Sequence, residues 1–299
     1  MGAIRHKVNS WMFGVALLLV FLMLRFLLIT SEVNLYSSDK SSDEVRSFKY
    51  GDYIGLDGEI VEFPFRCKSC ALVGMSGYLL DSDFGEEIDE NHSCIFRLGF
   101  CPTRGMERHV GSRTTARVVD SFRFYPFLKR PLKLAAGPFA SEFWFLFDRR
   151  TGDISHLHGP RLEPLVRKHD SHFLWLSRSA ERQVRDSLFQ KNRTVGGREI
   201  SALWFALKVL EDAGCKSLNV YGLPDPQICK RSLNVSKPSL YWENSSSVLC
   251  QNGVDASFTS NKGVAPISHL PTIVERRFLL PWARQHNLDI NFLAPSWPS

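Results

Sequence analysis

CALVGMSGYLLDSDFGEEIDENHSCIFRLGFCPTRGMERHVGSRTTARVV, residues Cys70 to Val119, opens on a short apolar run, Ala71-Leu72-Val73, that turns abruptly into Gly74-Met75-Ser76-Gly77. A buried parallel strand that ends in a glycine turn is how α/β proteins bring backbone N–H groups close to a phosphate. Further apolar strand signals stand at Cys94–Leu98, Thr115–Val119, Phe143–Phe147, Ser217–Tyr221 and Ile290–Leu293. Helical periodicity is clearest in Ser201–Ala213, where Leu203, Leu207 and Leu210 follow one face. A second helix fits Pro271–His286, with Pro271 in its first turn and Pro281 expected to kink or shorten it. Apolar strands alternating with helices predict a mostly parallel sheet covered on both faces, in one α/β domain.

Outside that domain the chain changes character. Met12 to Thr30 reads MFGVALLLVFLMLRFLLIT, long enough at ~1.5 Å per residue to cross a ~30 Å hydrocarbon layer. Arg5, His6 and Lys7 precede it, while Glu32 and Asp39 follow, so the N-terminus is expected in the cytosol. The expected organisation is a tail at 1–11, a transmembrane signal anchor at 12–30, a serine-rich stem and domain entry at 31–60, and a lumenal domain at 61–299. His6 occupies the Ser/Thr position of a myristoylation signal and argues against one. Four Asn-x-Ser/Thr sequons, at Asn91, Asn192, Asn234 and Asn244, accord with an exported domain.

The net charge of +6 comes from dispersed Lys and Arg, not from the concentrated basic stripe of a nucleic-acid protein. Seven cysteines in an exported chain imply disulfides plus at least one leftover thiol, and their connectivity does not follow from spacing. A zinc reading of Cys67-x-x-Cys70 lacks a second closely spaced pair. Asp81-Ser82-Asp83 lies in an expected loop and reads as a solvated turn, not a cation site.

The order Gly74-Met75-Ser76-Gly77, Gly85-Glu86-Glu87-Ile88-Asp89, Arg97-Leu98-Gly99-Phe100-Cys101-Pro102-Thr103 and Val110-Gly111-Ser112-Arg113-Thr114-Thr115 resembles the long sialyl motif of the eukaryotic sialyltransferases. Cys67-Lys68-Ser69-Cys70 and Cys94-Ile95-Phe96-Arg97 look most like the branch forming α-2,6 linkages to N-acetylgalactosamine. The likeness can be followed from about Phe65 to Trp297, thinning between Pro138 and Arg198. It implies a GT-A-like, Rossmann-like domain in a single-pass type II protein of the Golgi membrane. The implied reaction moves sialic acid from CMP-sialic acid to N-acetylgalactosamine of a glycoprotein or glycolipid glycan. It inverts the anomeric carbon and uses no metal or other cofactor. Partners implied are the sugar nucleotide, the glycan acceptor, the membrane and an oligomer with other Golgi glycosyltransferases. The resemblance also implies disulfides Cys70–Cys215, Cys229–Cys250 and Cys67–Cys94, leaving Cys101 free.

Sialyl transfer asks for a base on the acceptor hydroxyl and for donors that hold the phosphate as it gains charge. The base implied is His269, in Ser268-His269-Leu270-Pro271-Thr272-Ile273-Val274-Glu275. The family motif has Glu five residues after His; here the separation is six. An added residue within a helix would turn the imidazole by roughly 100°, whereas one in the preceding loop costs nothing. Ser201-Ala202-Leu203-Trp204-Phe205, running on to Val220-Tyr221-Gly222, looks like the short sialyl motif, with Ala202 and Leu203 in place of Thr and Gly. Tyr241-Trp242-Glu243 resembles the third motif, with Leu240 where an aromatic or His is usual. Donor-binding residues carried over are Ser76, Gly77, Gly99, Thr103, Ser201, Ala202, Tyr241 and Glu275. Ser112, Thr114 and Thr115 could add hydroxyls, and Arg113 is expected on the surface beside Glu86 or Glu87. Met75 and Gly99 replace polar residues common in the family. Met75, Gly99, Leu203 and Leu240 together motivate an alternative, a catalytically weakened relative that binds glycans or partner enzymes.

Overall fold

Val73, Leu72 and Ala71 are fully enclosed, and that enclosure on both faces makes the short run a central strand. The computed structural model describes residues 23, 52–121, 142–147, 171–189, 200–225, 227–228, 237–242, 250–251, 254–255 and 273–296. Eleven strands occur among them in chain order: β1 Tyr53–Ile54, β2 Ile60–Val61, β3 Ser69–Val73, β4 Cys94–Leu98, β5 Ala116–Asp120, β6 Phe143–Phe147, β7 His172–Leu176, β8 Ser217–Tyr221, β9 Cys250–Gln251, β10 Val254–Asp255 and β11 Asp289–Leu293. Nine form one sheet in the order β11-β8-β3-β4-β5-β6-β7-β1-β2. All neighbours from β11 to β7 are parallel, and β1 and β2 close the far edge antiparallel. The fold is therefore mixed α/β with a mostly parallel sheet.

Among the described residues five α-helices accompany it: α1 Gly85–Asn91, α2 Glu107–Val110, α3 Arg178–Phe189, α4 Ala202–Asp212 and α5 Ile273–Gln285. From β3 the chain steps outward through β4, β5, β6 and β7, then returns past its start to β8 and β11. With right-handed crossovers, such a reversal places the helices of the two halves on opposite faces. Side chains alternate accordingly. Phe147 stacks on Phe205 of α4 at 4.1 Å, while Arg97, Arg117 and Trp144 sit at neighbouring register positions of β4, β5 and β6 and share the other face.

Helix α4 is buried almost all round, from Ala202 to Leu207 and again at Val209 and Leu210, not along one stripe. Its outer side is covered in turn: Trp204 meets Trp282 of α5, and Arg185 of α3 lies over Phe205. Pro281 does not end α5, which continues to Gln285. The proline is exposed, so the carbonyl it leaves without an N–H donor is open to water, while Leu279 and Ala283 stay buried beside it.

The chain divides into compact units Met1–Lys49 and Tyr50–Ser299. Within the expected domain entry, β1 pairs with β7 and Tyr53, 2% exposed, donates its hydroxyl to Asp212 Oδ2 at 2.5 Å. Among the described residues no helix is long and apolar enough to cross a membrane. The expected anchor, apart from Met23, and residues 31–51 of the expected stem lie outside the described residues.

Two disulfides lie at the amino edge of the sheet, Cys67–Cys94 and Cys70–Cys215. They use all the sulfurs of the only close cysteine group among the described residues, so no zinc set remains. Cys229 and the side chain of Cys250 lie outside the description. Cys101 is free and buried.

Candidate functional site

Strand order reverses between β3 and β8, and in open α/β sheets ligands bind in the crevice beyond the carboxyl ends of the strands at such a point. Here the two chains stay joined past their strands. Gly74 N donates to Tyr221 O at 2.7 Å, and Ser76 N donates to Gly222 O at 3.2 Å. The approach requires glycine: a Cβ on Gly74 would lie 2.4 Å from Gly222 O. Gly222, at φ +66°, would bring a Cβ within 2.3 Å of Leu79 Cδ1. Gly77 faces a backbone too, since its Cβ would meet Pro238 O at 2.2 Å. The smallness of these residues thus serves the packing of chain on chain. Ser76, buried, caps the 3-10 turn Gly77–Asp81 by accepting from Tyr78 N at 3.3 Å.

The short segment 237–242 ties this turn to the end of β4. Tyr241 N donates to Met75 O at 3.0 Å, and the Tyr241 hydroxyl donates to Pro102 O. Burial, with Cys101 adding to it, holds the Tyr241 phenol well above its ordinary value. Met75 and Gly99 are neighbours: a Cβ on Gly99 would come 3.2 Å from Met75 Cε, and Gly99 takes φ +65°. The two departures from the family pattern therefore fit each other, the thioether filling space a larger residue at 99 would need. Leu240 is partly buried against the core. Thr103 is buried, and its carbonyl accepts from Met106 N at 2.8 Å.

The amino terminus of α4 lies at the same edge, because α4 runs down to β8 through Gly214. Ser201 is its N-cap; its N–H donates to Glu275 Oε1 at 2.7 Å, so a carboxylate of α5 stands at the positive end of α4. The Ser201 hydroxyl is enclosed and has no partner among the described residues. Ala202 is 7% exposed and Leu203 1%, the latter part of the core.

Two buried guanidinium groups lie under this edge. Arg117 Nε meets Glu142 Oε2 at 2.6 Å, and Nη1 donates to Cys101 O at 2.8 Å. Arg97 has no carboxylate partner among the described residues. It donates to Thr114 Oγ1 at 2.8 Å, Val110 O at 2.9 Å, Gly111 O at 3.3 Å and Arg113 O at 2.7 Å. Burial lowers its pKa, yet a guanidinium keeps its proton in proteins. The link to the crevice runs through Cys101, whose carbonyl accepts from Arg117 and whose Sγ donates to Gly74 O at 3.4 Å.

The hydroxyls of 112–115 turn out to serve the scaffold. Ser112 Oγ donates to Asp89 Oδ2 at 2.8 Å, Thr114 Oγ1 accepts from Arg97, and Thr115 Oγ1 accepts from Ile95 N at 3.0 Å. Arg113 pairs with neither Glu86 nor Glu87. Its backbone N–H goes to Asp89 Oδ1 at 3.0 Å and its guanidinium to Asp89 O. Asp89 was read only as part of a motif; its role as cap for this loop has no local signal. Asp83 is exposed and holds Arg108 at 2.6 Å, which lowers its carboxyl pKa. His269, Gly137-Pro138 and the sequons at Asn192, Asn234 and Asn244 lie outside the described residues.

Residues 56–128, which include the glycine turn, match the family model described as Glycosyltransferase family 29 (sialyltransferase). The chain is 30% identical over 241 residues to the alpha-N-acetyl-neuraminyl-2,3-beta-galactosyl-1,3-N-acetyl-galactosaminide alpha-2,6-sialyltransferase of Homo sapiens, covering 77% of this chain and 75% of that protein. It is 28% identical over 238 residues to alpha-N-acetylgalactosaminide alpha-2,6-sialyltransferase 3 of Mus musculus, covering 78% and 74%. A solved mammalian sialyltransferase in complex with Gal-beta-1-3GalNAc-ortho-nitrophenol aligns over 75% of this chain and 69% of that chain, at 19% identity and a TM-score of 0.40.

Proposed function

This chain belongs to glycosyltransferase family 29, the sialyltransferases, and on that premise we propose that it transfers sialic acid from CMP-sialic acid to N-acetylgalactosamine of a glycoprotein or glycolipid glycan, in α-2,6 linkage. The observation that carries the reading is the crevice between β3 and β8, where the turn 74–77 and the end of β8 meet, with the buried Arg117 guanidinium tied to the turn through Cys101. A nucleoside monophosphate is the anion such a crevice favours. Relatives acting on N-acetylgalactosaminides supply the acceptor and linkage.

In the proposed mechanism Ser76, Gly77, Gly99, Thr103, Ser201, Ala202 and Tyr241 line the donor site. The free hydroxyl of Ser201 is a donor that a phosphate or ribose oxygen would satisfy. Glu275 orients the start of α4 through the Ser201 N–H. His269 takes the proton from the acceptor hydroxyl as that oxygen attacks the anomeric carbon. The C–O bond to the phosphate breaks on the opposite face, giving inversion, and the leaving CMP carries the charge away. No metal takes part in this reading. The domain is a GT-A-like unit on a type II anchor of the Golgi membrane, lumenal and glycosylated, and associated with other Golgi glycosyltransferases.

The test is a transfer assay with the full chain in detergent, CMP-sialic acid and a panel of acceptors. Product on N-acetylgalactosaminides, lost at least a thousandfold in His269→Ala, is the expected result. Unchanged transfer in that variant removes His269 from the role of base. Met75, Gly99, Leu203 and Leu240, which replace residues usual in the family, favour a second reading, a weakened donor site. Absence of CMP binding at millimolar ligand would establish that reading over the first.

A further inference from the structure

On the helical layer made by α3, α4 and α5, a cavity of about 270 Å³ lies between the helices, lined by residues from Gln183 on α3 to His286 just past α5. Ten residues separate Ser201 from Glu211 along α4, about 15 Å at 1.5 Å per residue, so the cavity's lower wall stands well away from the crevice. Two indoles form part of its lining. Trp204 and Trp282 meet edge to face with ring centroids 5.7 Å apart, and His286 stacks on Trp282 at 4.4 Å.

The charged groups around these rings are already matched. Lys208 Nζ lies 2.7 and 2.6 Å from the two Asp212 carboxylate oxygens and 3.3 Å from Asp52 Oδ2. His286 Nδ1 lies 2.6 Å from Glu211 Oε1. The Lys208 cation is thus engaged by two carboxylates, leaving little to attract an anionic ligand, while each lining carboxylate already faces a nitrogen donor. Trp204 is 2% exposed, so the indole surface the lining offers is that of Trp282, beside spare lone pairs on Glu211 and Asp212 and the Gln183 amide. Ser187 adds a hydroxyl whose proton goes to Val184 O at 2.8 Å, leaving its oxygen to accept. Aromatic surface for C–H faces, ringed by neutralised polar groups for hydroxyls, suits a neutral sugar ring.

We propose that this cavity is a second carbohydrate site, separate from the β3–β8 crevice, that takes an uncharged pyranose of a glycan. It is independent of whether the crevice binds CMP. The experiment uses the full chain in detergent with saturating CMP, and saturation-transfer NMR with methyl β-galactoside and N-acetylglucosamine as probes, against N-acetylneuraminic acid. Ser187→Trp, from an exposed position on α3, fills the cavity without removing a core side chain. It is expected to weaken binding of the neutral sugars at least tenfold while CMP affinity stays as in the parent. Trp282→Leu, judged only if its CMP affinity is retained, is expected to do the same. Neutral-sugar binding that survives Ser187→Trp overturns the proposal, as does no detectable binding, or a preference for the anionic sugar that Ser187→Trp removes.

Discussion

The two edges of the sheet are held together by different chemistry. At the amino edge the fixings are covalent: Cys67–Cys94 ties the approach to β3 to the start of β4, and Cys70–Cys215 ties β3 to the approach to β8. Between β3 and β8 at the carboxyl edge they are backbone contacts, N–H to carbonyl across Gly74, Ser76, Tyr221 and Gly222, with side chains excluded there by distance. Strength thus lies at one end, and fine positioning at the other. A ligand crevice needs the second property, and the first keeps it from costing the fold.

The largest expected effect tests the strong edge. Removing Cys70–Cys215, which spans 145 residues, by Cys70→Ser with Cys215→Ser should cost about 3–5 kcal/mol in denaturant unfolding. If the comparison is right, the variant that still folds binds CMP as the parent does; a parallel loss of affinity would mean the edges are not separable. Gly74→Ala tests the other edge. It places a methyl against Gly222 O and should cost about 2–4 kcal/mol and abolish CMP binding. Gly105→Ala, at φ +81° with open space around it, should cost only about 1–2 kcal/mol and leave binding alone.

Ser201→Ala is smaller still. It removes a hydroxyl with no partner among the described residues, so thermal stability should hold while CMP affinity falls about fivefold to tenfold by calorimetry. Unchanged affinity would take Ser201 out of the donor site. The smallest effect is none at all: iodoacetamide at pH 8 should leave Cys101 unmodified in the native protein. Burial pushes its thiol up to about 12, so roughly one part in ten thousand is thiolate at that pH, and the sulfur is enclosed. Labelling of Cys101 without unfolding would show that the floor of the crevice opens.

Legibility differed between the two edges as well. The carboxyl edge announces itself in sequence, because Ala71–Val73 running into Gly74 is a local pattern, and Cys94–Leu98, Phe143–Phe147 and Ser217–Tyr221 are apolar-rich runs whose bounds matched the strands. His172–Leu176 carries the same kind of run, His-Phe-Leu-Trp-Leu, and went unread though the signal was there. Helix α3 was harder: Ala180 and Val184 are its buried apolar residues among those described, on a strongly polar segment whose Glu181 is buried as well. The partners of Arg97, Arg113 and Ser112 were beyond local reading. Each depends on how α1, α2 and their loop fold back, and Asp89 reaches its targets from 23 residues away. The mutual fit of Met75 and Gly99 was invisible for the same reason: two separate substitutions read as two losses until their contact is seen.

The Cys70–Cys215 bond has a mechanical consequence. It rivets β3 to the residue just ahead of β8 at the end remote from the crevice. Any thermal motion that parts the two strands must pivot about that rivet, as the blades of shears do, and its amplitude grows toward Gly74 and Gly222. Breathing of the crevice is thereby confined to one angular coordinate, widest where a nucleotide would enter.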